Sequence, residues 1–271
     1  MQPGTKTNRA DSGIVLERSS GGIVQIRLNR PERLNALGMD MVEALQAAIA
    51  DAIANRARVV LVRGAGRAFC AGADLKERRT MDEAARVRHN RAINAAVDAF
   101  AAAPMPTIAV INGLAMGGGC EIALACDLRY AAEDAQIGLT EARIGAIPGA
   151  GGTQRMPRAI GAARALELML TGEPVTGARA ERIGLVHAAV PADKLDGYVQ
   201  RIAAMLASRS PSGAQTIKRL VCDGMERTLA EGLALERAAL QQVLASADYA
   251  EGLAAFAEKR SPRFGQARGA E

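Results

Sequence analysis

Residues 14–18 and 23–28 are short apolar-rich runs of strand length, and in the second Val24, Ile26 and Leu28 alternate with polar positions and share one face. Ser19-Ser20-Gly21-Gly22 lies between the runs, so the pattern predicts a hairpin. Over residues 39–55 the spacing changes. Met41, Leu45, Ile49 and Ile53 recur every fourth position, as on an amphipathic helix. Val59-Val60-Leu61-Val62 and Thr107-Ile108-Ala109-Val110-Ile111 are unbroken apolar runs of strand length, which suits strands buried on both faces. Between them, Thr80 and Glu83 have capping-box spacing for a helix reaching about Ala103, where Pro104 and Pro106 stop it. Ile183-Gly184-Leu185-Val186-His187 reads as a further strand.

Strand and helix alternate to about Val190, which argues for an α/β fold. Beyond Pro191 the pattern is nearly all helical. Thr228 with Glu231, and Asp248 with Glu251, signal helix starts, and Leu229, Leu233, Leu240 and Leu244 form an apolar stripe. The division expected is a flexible polar tail over residues 1–12, an α/β core over 13–200 and a helical region over 201–271.

Composition narrows the chemistry. Of 271 residues, 49% are hydrophobic and 23% charged, but only 3% are aromatic and Trp is absent. The core must therefore be built from Ala, Leu, Ile, Val and Met, whose modest buried area favours oligomerisation. The net charge of +5 is spread out and suits an anionic small molecule at least as well as nucleic acid. Two histidines, His89 and His187, leave little material for a metal cluster or a Ser–His–Asp triad, and there is no G-x-S-x-G elbow. Cys70, Cys120, Cys126 and Cys222 form no C-x-x-C pair. With no apolar run long enough for a membrane span and a polar N-terminus, reduced thiols in a cytoplasmic protein are expected.

Three segments carry candidate chemistry. Ala68-Phe69-Cys70-Ala71-Gly72-Ala73-Asp74-Leu75-Lys76 follows a strand, and its small residues let a ligand approach the backbone, with the Ala73 amide as a donor. An ordinary turn into a helix accounts for the same residues. Asn112-Gly113-Leu114-Ala115-Met116-Gly117-Gly118-Gly119-Cys120-Glu121 reads as strand, glycine loop and helix N-terminus. Free amides there would stabilise a developing enolate oxygen beside Gly118. Glu121, in the first helical turn, would be held ionised by the helix dipole, as a general base requires; it could also merely complement that dipole. Gly138-Leu139-Thr140-Glu141-Ala142-Arg143 places Glu141 among apolar and glycine neighbours. If buried there it would favour its neutral form and serve as a proton donor, or else be a structural carboxylate paired with Arg143 or Arg155. Gly149-Ala150-Gly151-Gly152-Thr153-Gln154 falls short of a dinucleotide fingerprint, because Gln154 stands in the third glycine's place. Cys70 and Cys120 flank the glycine loops and read as small buried residues, since no nearby histidine would activate a thiolate.

Together these segments resemble the crotonase superfamily, the enoyl-CoA hydratase/isomerase family. The matching residues are Leu28-Asn29-Arg30-Pro31 with Leu34-Asn35-Ala36-Leu37, Phe69 through Lys76, Asn112 through Asp127, Ile147 through Arg155, and Glu251-Gly252-Leu253 with Phe256 through Arg260. The resemblance implies a spiral of ββα units followed by a C-terminal helical trimerisation region, with trimers that commonly pair into hexamers. It places two thioester-binding amides on Ala73 and Gly118 and the two hydratase glutamates on Glu121 and Glu141. It implies an acyl-CoA substrate, no metal and no resident cofactor, since CoA belongs to the substrate. Arg30, Arg33 and Lys76 become candidate phosphate contacts. Ala71, Asp74 and Leu75 join the substrate-binding set, and Phe256 and Lys259 are candidates supplied by a neighbouring subunit.

Asp74-Leu75-Lys76-Glu77-Arg78 and Arg155-Met156-Pro157-Arg158 also resemble the methylglutaconyl-CoA hydratase branch. The reaction expected is hydration of a 2-enoyl-CoA. Alternatives are methylglutaconyl-CoA hydration, an enoyl-CoA isomerase, and an RNA-binding protein on the same scaffold. The last would use a lysine-rich helix, whereas residues 39–55 contain no Lys and carry Asp40, Glu43 and Asp51.

Overall fold

In the computed structural model, residues 6–9 and 13–265 are described. The strands β1 (Lys6–Arg9), β2 (Ile14–Ser19) and β3 (Ile23–Leu28) pair antiparallel. Helix α1 (Met39–Ala54) carries the chain to β4 (Val59–Gly64), which lies parallel to β3. From β4 onward one unit repeats: a strand for a large sheet, a short strand for a small sheet, then helix. The first unit is β4, β5 (Ala68–Cys70), α2 (Leu75–Arg78) and α3 (Glu83–Ala101). The second is β6 (Thr107–Ile111), β7 (Leu114–Met116) and α4 (Gly118–Ala125). The third is β8 (Leu128–Ala132), β9 (Gln136–Gly138), α5 (Gly152–Ile160) and α6 (Ala162–Thr171). The core closes with β10 (Val175–Thr176), α7 (Gly177–Arg182) and β11 (Ala188–Val190). Among the described residues the large sheet has the order β1-β2-β3-β4-β6-β8-β11 and the small one β10-β9-β7-β5. This is the spiral of ββα units that the resemblance implied.

The apolar runs are explained by this winding. Every residue of β6 is buried, because helices and the small sheet cover both faces of the large one. Helix α1 buries Met41, Val42, Leu45 and Ile49 against the hairpin strands and α3. With so few aromatics, the only fully buried ones among the described residues are Phe69 and Phe100.

Several expectations are corrected. The tail expected over residues 1–12 lies partly outside the described residues, but Lys6–Arg9 satisfy the open edge of β2 as a strand. Helix α3 is capped by Asp82, which accepts the Ala85 amide at 2.7 Å, while Thr80 donates its hydroxyl to Glu77 O. The strand expected over 183–187 starts only at Ala188, because Gly184 at φ +82° turns the chain first. The last helix, α11 (Ala247–Ala257), is capped by Ser246. Asp248 instead accepts from Ser210 and the Gly265 amide, and Glu251 pairs with Arg260 at 2.6 Å. The Thr228–Glu231 capping box does form, at the start of α10 (Leu229–Leu244). The boundary expected at residue 200 falls inside α8 (Ala192–Ala207). Its buried Leu195, Val199, Ala203 and Ala207 belong to the same core as the large sheet, so the helical region proper begins with α9 (Pro211–Met225). Across α9, α10 and α11, Ile217, Val221, Met225, Leu229, Leu240 and Phe256 are exposed.

Asn35 holds the loop that leads into the site. Fully buried and left-handed at φ +55°, it accepts the Arg30 amide at 2.9 Å and donates to Ala65 O and Ala68 O at 3.0 and 2.8 Å. Asn35→Ala strands these groups without a partner. It should destabilise the protein by about 2–4 kcal/mol, read as a lower urea midpoint at unchanged m-value.

Candidate active site

Two loops from successive ββα units meet between the sheets. Gly72, at φ +87° after β5, has no space for a side chain: a Cβ there would stand 2.7 Å from Met116 O and 3.1 Å from Gly118 N. A Cβ on Gly119 would stand 2.2 Å from Cys70 O. The loops therefore touch backbone to backbone, which only glycine permits. Leu37 pairs with the first loop, its amide bonding Gly72 O at 2.8 Å and its carbonyl accepting the Asp74 amide at 3.0 Å. The amides of Ala73 and Gly118 lie between these bonded groups and donate to no backbone carbonyl among the described residues. Gly118 is the first residue of α4, where a free amide is the normal condition of a helix start.

Both glutamates and both amide-bearing residues line one cavity of about 390 Å³, with Ala71, Leu75 and Met116. Glu121 lies in the first turn of α4 and is buried. Its Oε1 accepts the Ala150 and Gly152 amides at 2.6 and 2.9 Å. The stretch that fell short of a dinucleotide fingerprint is thus a cradle for a carboxylate of the same chain, with Gly151 at φ +94° turning it into α5. The helix start and the two amides are not the largest influence on the Glu121 carboxyl. Burial outweighs the two amides and moves its carboxyl above the ordinary value, while Arg155 and Arg78 partly oppose this. Because Oε1 is held by two donors, Oε2 is the oxygen left to exchange a proton.

Glu141 opens a short 3-10 turn over Glu141–Ile144. Its Oε1 would stand 3.0 Å from a Cβ on Gly117, and its Oε2 is buried with no hydrogen-bond partner. Burial pushes its carboxyl up to about 7, and the nearby charge of Glu121 adds to the shift. Neither arginine considered as a partner takes it: Arg143 pairs with Glu173 at 2.6 Å and Arg155 with Asp98 at 2.9 Å.

The other predicted residues divide. Ala71 and Leu75 line the cavity, whereas Arg30, Arg33, Asp74, Lys76, Phe256 and Lys259 are not part of its lining in this chain. Asp74 is buried and used structurally, capping α2 through the Lys76 and Glu77 amides and pairing with Arg33 at 2.9 Å. Phe256 is 87% exposed. Sequence reasoning missed Arg78 and Asn90, which do line the cavity; the signal available was the position of Arg78, five residues past Ala73 on the helix leaving the loop. Cys70 and Cys120 are buried, and burial raises both thiols, that of Cys70 to about 12, which disfavours a thiolate nucleophile. No group of His, Cys, Asp and Glu among the described residues could hold a metal ion.

The sequence matches the enoyl-CoA hydratase/isomerase family over residues 18–267. It is 43% identical to "Enoyl-CoA hydratase domain-containing protein 2, mitochondrial" of Bos taurus, over 90% of this chain and 84% of that one. It is 40% identical to "Methylglutaconyl-CoA hydratase, mitochondrial" of Rattus norvegicus, over 92% and 81% respectively. The crystal structure of an enoyl-CoA hydratase from Bacillus anthracis superposes with a TM-score of 0.91 at 41% identity, covering 93% of this chain and 98% of that one.

The raised carboxyl of Glu141 has a consequence for stability. Its folded value, about 7, lies above the ordinary 4.5, so the folded protein binds this proton more tightly than the unfolded chain. The resulting stabilisation is full below about pH 4.5 and is lost as pH rises through about 7. Urea denaturation across this window should show that slope, and Glu141→Gln should flatten it.

Proposed function

We propose that this chain, which belongs to the enoyl-CoA hydratase/isomerase family, adds water reversibly across the 2,3 double bond of a 2-enoyl-CoA thioester to give a 3-hydroxyacyl-CoA. The observation that carries this reading is the pairing, in one cavity, of two differently held carboxylates with two unengaged amides. The thioester oxygen accepts from the Ala73 and Gly118 amides, which stabilise the negative charge that builds as C3 is attacked; one such donor is worth about 3–4 kcal/mol. Glu121, its Oε1 fixed by the amides of Ala150 and Gly152, takes a proton from the attacking water. Glu141, whose raised carboxyl keeps a proton near neutrality, delivers one to C2. CoA enters with the substrate, and the scheme uses no resident cofactor.

A second reading shares the same amides. An isomerase moving a double bond from C3 to C2 requires one base, and the presence of a second carboxylate with a raised value favours hydration instead. In the assembly we propose, a trimer or a dimer of trimers, the exposed apolar residues of α9, α10 and α11 are covered by neighbouring subunits. A neighbour would bring Phe256 and Lys259 to the CoA, with Arg30, Arg33 and Lys76 near its phosphates. The buried, unpaired thiols favour a cytoplasmic setting, and no described helix is long and apolar enough to cross a membrane.

Purified protein should deplete the enoyl absorbance of crotonyl-CoA. Glu121→Gln and Glu141→Gln should each lower kcat by about 10²–10⁴-fold. Full activity in both variants, or conversion of a 3-enoyl-CoA to its 2-enoyl isomer without hydration, would overturn the reading.

A further inference from the structure

The cradle around Glu121 Oε1 is built from three successive peptide units, and each is fixed by a different group. The Gly151 carbonyl accepts the Gln154 and Arg155 amides at 3.0 and 2.8 Å, so the unit that carries the Gly152 amide is set by the start of α5 itself. The Ala150 carbonyl accepts Arg155 Nη1 at 2.9 Å, and Arg155 is paired in turn with Asp98 of α3. The Gly149 carbonyl accepts Asn94 Nδ2 at 2.7 Å. Asn94 stands one turn before Asp98 on α3, and the same nitrogen donates to Asn90 O at 2.9 Å.

The Gly149 carbonyl and the Ala150 amide belong to one peptide unit, which is rigid and planar. A donor that fixes the carbonyl therefore fixes the direction of the amide, and this amide meets Glu121 Oε1 at 2.6 Å. The donor also polarises the unit and makes its N–H a stronger partner for the carboxylate. Local backbone does not set this orientation, because one of the two bonds about which the unit could turn belongs to a glycine. A half-turn would swing Gly149 O toward the carboxylate and carry the amide away. Helix α3 packs so closely here that a Cβ on Gly149 would stand 3.2 Å from Asn90 Oδ1.

Asn94 is not part of the cavity lining, so its route to the chemistry is this peptide and not the substrate. The titratable groups that face Glu121 are Arg78 at the end of α2, Arg155 on α5, Glu141 in the 3-10 turn and the adjacent Cys120. Asn94 is uncharged and adds nothing to that set. Its contribution is the aim and the polarisation of the Ala150 amide.

We propose that Asn94 is a positioning residue for the hydration: by holding the Gly149–Ala150 peptide it aims the Ala150 amide at Glu121 Oε1, and so keeps Oε2 turned to the attacking water. The role given to Glu121 rests on the hydratase reading above.

Asn94→Leu keeps the size of the side chain and removes the donor. It should lower kcat for crotonyl-CoA hydration by about 10-fold at nearly unchanged KM, the worth of one hydrogen bond to a charged group. The proton affinity of Glu121 should rise by about the same factor, which moves the acid limb of the pH profile to higher pH. Asn94→Ala admits water to Gly149 O and should change both readings less, in the same direction; it carries the test if Asn94→Leu does not fold. On a Glu121→Gln background Asn94→Leu should cost nothing further, whereas on a Glu141→Gln background it should cost its full factor. An equal loss on the Glu121→Gln background, or an acid limb that stays in place, would make Asn94 a packing residue and overturn the proposal. Difference infrared titration of the Glu121 carboxyl, identified by its absence in Glu121→Gln, needs no turnover and separates the two readings. A protein that does not hydrate crotonyl-CoA, but whose Glu121 titration moves in Asn94→Leu, sinks the hydratase and leaves the positioning standing. Hydration with a Glu121 titration that does not move does the reverse.

Discussion

The close approach of two backbone loops is the constraint on which the rest of the structure depends. Gly72 and Gly119 stand where a single added carbon would meet Met116 O or Cys70 O. Because neither has one, the loop after β5 and the start of α4 come together with two amides left free between them. Larger residues would force the loops apart and separate Ala73 from Gly118. The ββα spiral serves this contact, since β5 and β7 are parallel neighbours in the small sheet and their following loops emerge on the same side.

The same contact governs the electrostatics. Helix α4 starts at the loop junction, so Glu121 is buried one turn below the free amides, and the Ala150–Gly152 backbone is the device that makes its burial tolerable. Glu141 receives no such support for Oε2 and responds by holding its proton more tightly. Two carboxylates in one cavity are thus set apart by what their oxygens touch. Arg78, whose Nε donates to His89 Nδ1 at 3.1 Å, adds a positive charge that neither carboxylate takes as an ion pair.

Much of this was legible in the chain, for a local reason. Strand runs such as Thr107–Ile111, the period of α1 and the Thr228–Glu231 cap depend on neighbours within a few residues. The glycine loops were readable because runs of glycine beside a carboxylate have few structural uses. Where local signals competed, the reading failed. Thr80 and Asp248 had capping spacing, but Asp82 and Ser246 stood in better positions and took the role. Asp74, placed in the substrate-binding set, also has a structural use that no adjacent residue signals, its ion pair with Arg33.

The sequence by itself determined the alternation of strand and helix, the family resemblance and the two glutamates, because these are written in periodicity and in motifs of adjacent residues. Only the tertiary structure decided what each charge faces. Residues 78 and 89, or 121 and 150, are joined across elements whose packing no short window encodes. The Gly149–Gly152 stretch shows this most plainly: as sequence it is a failed nucleotide motif, and as structure its amides close around a carboxylate 29 residues earlier in the chain. Charge and hydrogen bonding act through space, so the partners of Glu121, Glu141 and Arg78 became knowable only once the chain had folded around them.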